Sequence, residues 1–252
     1  MPRFFVRQNQ IEDGMIKLIG DDAHHIARSL RMAVGESLTV CDMQGNQYEC
    51  EISDFQEDRT VYARIVSVTN TDTESPCKIH LFQALSKGDK LDTVIQKSVE
   101  CGVYSVTPFE SERCVVRIKD GAEDRKTERR RRIAFEAAKQ CGRGILPEIG
   151  DTLTFSQMIE RANECDVVLF CYEGDGTVPL GRVINEKLSP DSNGNYPSVA
   201  IIIGSEGGFS ISEVEVAKVK GMHLVGLGKR ILRTETAPVF VLSALSYAIE
   251  LQ

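Results

Sequence analysis

The chain has 252 residues, 42% hydrophobic and 27% charged, with a formal net charge of −7, which suits a globular protein of one large domain or two small ones. No apolar run reaches the ~20 residues of a membrane span, Met1-Pro-Arg-Phe-Phe-Val-Arg7 lacks a signal-peptide core, and the acidic balance argues against coating nucleic acid by bulk charge. Eight cysteines form no Cys-x-x-Cys pair and lack metal-ligand spacing with the four histidines, so the expectation is a cytoplasmic protein with reduced thiols, no membrane and no metal.

Residues 1 to about 70 read as short strands: Phe4–Val6, Met15–Ile19, Ser37–Cys41, Gln47–Ile52 and Thr60–Val68. Tyr48, Cys50 and Ile52 alternate with Glu49 and Glu51, the pattern of a strand with one wet face. Met43-Gln-Gly-Asn46 is turn-like, and one helix fits Asp22–Met32. Several short strands at close spacing suggest a small barrel. This segment holds seven basic and eleven acidic residues, so its composition gives no support for RNA binding.

The polar stretch 71–76, closed by Pro76, reads as a linker. Beyond it strands alternate with helices: strand Ile79–Leu85, helix Lys90–Cys101 ending at Gly102, strand Val103–Pro108, a helix through Arg129–Arg132 to Cys141, helix Phe155–Asn163, strand Asp166–Cys171 and helix Val178–Leu188. Such alternation predicts an α/β domain with a mostly parallel sheet over 77–252. From Arg113 to Arg143 eleven Lys or Arg face five Asp or Glu. That is either a localised polyanion contact or a solvated helix face.

The unbroken apolar run Val199-Ala-Ile-Ile-Ile203 predicts a strand buried on both faces. Gly204-Ser-Glu-Gly-Gly-Phe209 follows as a tight turn, Ser210 and Glu213 have capping-box spacing, and the next helix stops at Gly221. His223–Leu227 is the next strand, then a long polar turn to Pro238 and a final helix to about Leu251. Two Gly-rich turns in one α/β unit favour a ligand crevice at strand carboxyl ends. Neither turn has the spacing of a dinucleotide fingerprint or a phosphate-cradling loop, and Glu206 would repel a pyrophosphate. A cationic or zwitterionic ligand with apolar and ribose parts suits them better.

Gly204-Ser-Glu-Gly-Gly-Phe209 and Leu227-Gly-Lys-Arg-Ile-Leu-Arg-Thr-Glu-Thr-Ala237 resemble two signature segments of the bacterial 16S rRNA (uracil-N3)-methyltransferases, in the trefoil-knotted SPOUT class. Lys87-Gly-Asp-Lys90, Lys97-Ser-Val-Glu-Cys-Gly102, Ser111-Glu-Arg113 and Ala138-Lys-Gln-Cys141 agree, and the likeness spans nearly the whole chain. Ser205 departs from the family, which usually has proline there. The resemblance implies an N-terminal PUA-like RNA-binding barrel over 1–70, a SPOUT domain with a C-terminal knot, S-adenosylmethionine as cofactor, 16S rRNA in the small ribosomal subunit as substrate, and a homodimer.

Within it, the cofactor lies among three turns, at Cys171, Tyr172 and Glu173, at Gly204, Ser205, Glu206, Gly207 and Gly208, and at Leu227, Gly228, Ile231 and Leu232. Tyr172 could equally be a core aromatic and Glu173 a helix-start carboxylate. Arg233 is the candidate to stabilise charge on the uracil oxygens, and Glu235 or water the candidate base. RNA contact falls to His25, Arg28 and Arg31 and to Lys87, Arg113, Arg129, Arg132 and Arg143. Val239, Leu242, Leu245, Ala248 and Ile249 form an apolar stripe that either a dimer or the chain's own sheet would cover. The competing functions are a knotted methyltransferase with another target, such as a ribose 2′-hydroxyl, and a non-catalytic RNA-binding assembly factor.

Overall fold

The computed structural model describes residues 2–56, 59–117 and 123–251. Two compact units emerge, one of residues 1–74 and 138–146, the other of residues 75–137 and 147–252. The main break falls between Glu74 and Ser75, within the polar stretch 71–76, and residues 138–146 return to the first unit.

The first unit contains β1 (Arg3–Phe5), β2 (Ile11–Glu12), β3 (Met15–Ile19), α1 (Gly20–His24), β4 (Ser37–Cys41), β5 (Asn46–Gln56) and β6 (Thr60–Asn70). They form one sheet in the order β1-β4-β5-β6-β3-β2. All its pairs are antiparallel except β1 with β4. The alternating side chains of β5 send Tyr48, Cys50 and Ile52 inward to join Ile16, Leu18, Leu38, Val40 and Val61 in a single core. The expected helix 22–32 is instead the single turn α1 followed by a π-helical turn, His25–Ser29. Within 22–32 only Ala23 and Ile26 are fully buried, Met32 packs partly buried on the same core and Leu30 is left 40% exposed, too little burial to hold three turns. Arg31 then leaves the helix altogether with φ of +55°.

The second unit carries β7 (Ile79–Ala84), α2 (Lys90–Glu100), β8 (Ser105–Glu110), α3 (Glu123–Cys141, whose last four residues belong to the first unit), β9 (Glu148–Ile149), β10 (Leu153–Thr154), α4 (Phe155–Ala162), β11 (Val167–Cys171), β12 (Val178–Pro179), α5 (Leu180–Lys187), β13 (Val199–Ile203), α6 (Ile211–Val219), β14 (His223–Gly226) and α7 (Ala237–Glu250). Their sheet runs β10-β8-β7-β13-β11-β14-β12 with β9 beside β8, and every pair is parallel. The apolar runs of β11 and β13 are buried along their whole length, as central parallel strands covered on both faces must be. Strand β8 begins two residues later than expected, because Gly102 turns at φ +84° and the Val103 N–H still caps α2 through the Ser98 carbonyl. Pro108, which has no N–H to give, falls opposite the gap between β9 and β10. Among the described residues no helix is long and apolar enough to cross a membrane.

Candidate functional site

Because the sheet is parallel, the carboxyl ends of β7, β11, β13 and β14 lie along one edge. The turns leaving β11, β13 and β14 enclose a cavity of about 540 Å³, within the range of small-molecule sites. Cys171, Tyr172, Glu173, Gly204, Ser205, Glu206, Gly207, Gly208, Leu227, Gly228, Ile231, Leu232, Arg233 and Glu235 all line it, and Lys90 and Arg113 join them.

The turn after β13 is compact for identifiable reasons. Gly208 sits at φ +65° and its N–H bonds the Ser205 carbonyl at 2.9 Å. A Cβ on Gly204 would come within 3.1 Å of the Phe209 ring and 3.2 Å of Gly208 Cα. Phe209 pins the turn to the sheet, its ring centroid 4.2 Å from that of Phe170. Helix α6 then starts on the expected box: Ser210 accepts from the Glu213 N–H, and Glu213 accepts from the Ser210 N–H at 2.9 Å. The second Glu213 oxygen takes the Glu112 N–H at 2.8 Å and ties the loop after β8 to the same place.

The two Gly-rich turns are bonded to each other. Thr234 Oγ1 donates to the Gly204 carbonyl at 2.7 Å, and Gln83 Nε2 donates to Thr234 Oγ1 at 2.9 Å. Gln83 is fully buried on β7, and its Oε1 has no partner. Gln83 lies outside every motif of the sequence, and Thr234 is one residue of the Leu227–Ala237 segment with nothing to mark it. The available signal was an amide in the middle of the apolar run Ile79–Leu85, since a buried polar side chain is the informative exception.

Lys90, at the start of α2, completes the electrostatics. Its ammonium lies 2.8 Å from Glu206 Oε1 and 4.0 Å from Glu235 Oε2. Burial opposes ionisation of Glu206, but the Lys90 ammonium and the Lys87 N–H outweigh it and hold the carboxyl below its ordinary range. Glu235 Oε2 and Ser205 Oγ are buried without a hydrogen-bond partner. Ile231, one of the residues expected around the cofactor, is 80% exposed at the rim. Glu173 is exposed in the turn after β11, well before α5, so it is not a helix-start carboxylate. Tyr172 lies across Gly174, where a Cβ would strike its ring.

The residues expected to touch RNA divide. His25, Arg28 and Arg31 are exposed on the first unit, and Lys87 and Arg132 are exposed on the second. Arg113 is exposed but donates to the Gly207 carbonyl at 3.1 Å. Arg129 pairs with Asp92 at 2.5 Å and Asp89 at 3.2 Å. Arg143 corrects the expectation: its side chain is 6% exposed and its Nη2 lies 2.6 Å from Glu74, which also accepts the Gly144 and Ile145 N–H groups. A guanidinium buried in that pair is not available to phosphates. Lys119 and Asp120 of the basic stretch lie outside the described residues.

A family model for an RNA methyltransferase domain matches residues 73–246, and one for an RNA methyltransferase PUA domain matches residues 18–66. The ribosomal RNA small subunit methyltransferase E of Bacillus subtilis is 35% identical over 100% of this chain and 98% of its own length. The enzyme of that name from Buchnera aphidicola of Schizaphis graminum is 32% identical over 96% and 93%. Among solved structures, the Neisseria gonorrhoeae enzyme of that name, bound to S-adenosylmethionine, superposes with a TM-score of 0.81 at 29% identity, covering 98% of this chain and 97% of its own. A Legionella pneumophila protein in complex with the same cofactor gives 0.80 at 33% identity, covering 98% and 97%.

Proposed function

The chain belongs to the RNA methyltransferase family, and we propose that it transfers a methyl group from S-adenosylmethionine to N3 of a uridine in 16S rRNA on the small ribosomal subunit. The observation that carries this reading is the cleft at the carboxyl edge of the parallel sheet, walled by glycine backbone on one turn and edged by Arg233 on the next. The cofactor's demands fit these residues. The cleft is large enough, glycine backbone at Gly204, Gly207, Gly208 and Gly228 allows close approach to adenine and ribose, and Ser205 Oγ is a buried polar atom still lacking a partner. Leu227 and Leu232 supply apolar contact, while Cys171, Tyr172, Glu173 and Glu206 close the remaining sides.

When bound, the cofactor supplies a methyl group already made electrophilic by the sulfonium. The chain's work is to position the acceptor and to manage its charge. Uracil N3 must lose a proton before it can attack, which spreads negative charge onto O2 and O4. The Arg233 guanidinium presents paired donors to that charge. The proton passes to Glu235 or to water. The target base must be splayed from its stack to reach the cleft, and the PUA-like unit, through His25, Arg28 and Arg31, selects the RNA. The trefoil knot and a homodimer belong to the same reading. In α7, Leu242 and Leu245 are buried within the chain, leaving Phe240 and Tyr247 exposed for a second copy.

The test is incubation of the full chain with methyl-labelled S-adenosylmethionine and small ribosomal subunits lacking the modification, followed by nucleoside analysis. Label is expected in 3-methyluridine. Label on a ribose 2′-oxygen would refute the target position, and absence of cofactor binding by calorimetry would refute the enzyme.

A further inference from the structure

We propose that Lys229 and Arg230 form a phosphate-binding rim that grips the RNA backbone beside the target nucleotide. The proposal rests on the RNA methyltransferase reading and adds to it where, at the cleft itself, the polyanion is held.

Five cations line the cleft: Lys90, Arg113, Lys229, Arg230 and Arg233. Two are already committed within the chain, Lys90 to Glu206 and Arg113 to the Gly207 carbonyl. The other three sit within five consecutive residues of one turn. Among the described residues none of the three has a carboxylate or a hydrogen-bond acceptor, and all are exposed. A protein with 37 acidic residues against 30 basic ones had acids to spare for pairing them. The acid on the turn after β11, Glu173, is likewise unpaired and exposed. The cleft therefore has an acidic turn and a basic turn, and a polyanion is steered to the basic one.

That turn is also held in place. Gly228 starts it at φ +107°, the Thr234 hydroxyl fastens it to Gly204 at 2.7 Å, and the Thr236 and Ala237 N–H groups close on the Arg233 carbonyl at 2.9 and 3.0 Å. Cations on an anchored turn lose only side-chain freedom when they bind, not backbone freedom. One cofactor carboxylate, carrying a single charge, does not balance three cations at a solvent edge. Successive phosphodiesters do, and they need no enclosure. With Arg233 assigned to the base, Lys229 and Arg230 meet the backbone on either side of it.

The experiment compares the full chain with its Lys229→Ala/Arg230→Ala double variant, measuring binding to unmethylated small ribosomal subunits without cofactor across a salt series. The double variant is expected to bind about tenfold more weakly near 0.15 M salt, and its plot of log affinity against log salt to be shallower by about 1.5. Affinity for S-adenosylmethionine by calorimetry should stay within about twofold, and Arg230→Lys should recover most of the loss, because phosphate accepts a point charge. An unchanged salt slope overturns the proposal. So does a loss of cofactor affinity, which would assign the two cations to the cofactor's carboxylate. Both readouts are independent of turnover. A wild-type chain that binds subunits in this way but transfers no methyl group sinks the catalytic reading and leaves the rim intact.

Discussion

Helix α3 and the turn from Leu227 to Thr236 are both rich in basic residues, and the structure treats them in opposite ways. In and around α3 most cations are already paired: Arg129 with Asp92 and Asp89, Arg130 with Glu123, Arg131 with Asp151, Lys139 with Asp22, Arg117 with Glu110 and Arg143 with Glu74. In the shorter turn, Lys229, Arg230 and Arg233 have no such partner among the described residues, while the acids beside them, Glu206 and Glu235, face Lys90. Counting charge along the chain singles out the helix. Counting what remains after pairing singles out the turn. An attractive potential for RNA depends on the second quantity, because a paired cation presents a dipole, whose field decays faster than that of a free charge.

The largest expected effect breaks the comparison at its paired end. Arg143→Ala leaves Glu74 buried without its cation and should destabilise the first unit by about 3–5 kcal/mol, read as a lower midpoint in urea. A fall in RNA affinity with unchanged stability would return Arg143 to the RNA surface. The same pair predicts a pH dependence. Burial opposes ionisation of Glu74, but Arg143 and two backbone N–H groups hold its folded carboxyl below the ordinary value. Its contribution is therefore full above about pH 4.3 and is lost as pH falls through the lower folded value. Glu74→Gln should remove that acid-side loss.

At the unpaired end, Arg233→Ala should lower turnover by roughly two orders of magnitude while leaving cofactor affinity nearly intact. Equal turnover in the two proteins would take Arg233 out of the chemistry. A smaller effect tests whether the two turns act as one wall. Gln83→Leu removes the donor to Thr234 and should weaken S-adenosylmethionine binding about tenfold, from the loss of one or two buried hydrogen bonds. Thr234→Val in the same background should add little further, since both substitutions cut one chain of bonds. Additive losses would mean that the two residues act separately. The smallest effect lies within α3. Arg132→Ala should reduce subunit affinity by about threefold and Arg129→Ala by less than about twofold, because an exposed pair already neutralises Arg129. The reverse order would mean that pairing in the free protein does not predict contact with RNA.

Most of the second unit could be read from the chain alone. An apolar run such as Val199–Ile203 is buried on both faces only as an inner strand of a parallel sheet, and the Ser210–Glu213 box needs nothing beyond local geometry. Less could be read where periodicity is weak. The helix expected over 22–32 fails although Ala23, Ile26, Ala27 and Leu30 have helical spacing, because Leu30 stays exposed and Arg31 turns to φ +55°, and two-residue strands such as β2, β9, β10 and β12 are shorter than any pattern can register.

What the amino-acid order determined by itself is therefore the longer strands and helices of the second unit and its two glycine-rich turns, because each depends on neighbours within a few positions, whereas the grouping of three turns around one cleft came from the family resemblance. What only tertiary structure decided is which polar groups are consumed in holding the fold. Gln83 meets Thr234 across 151 positions, Lys90 meets Glu206 across 116 and Arg143 meets Glu74 across 69. Pairing depends on distances of a few ångströms that linear spacing does not encode, so the sequence names the charges and the fold selects which stay free.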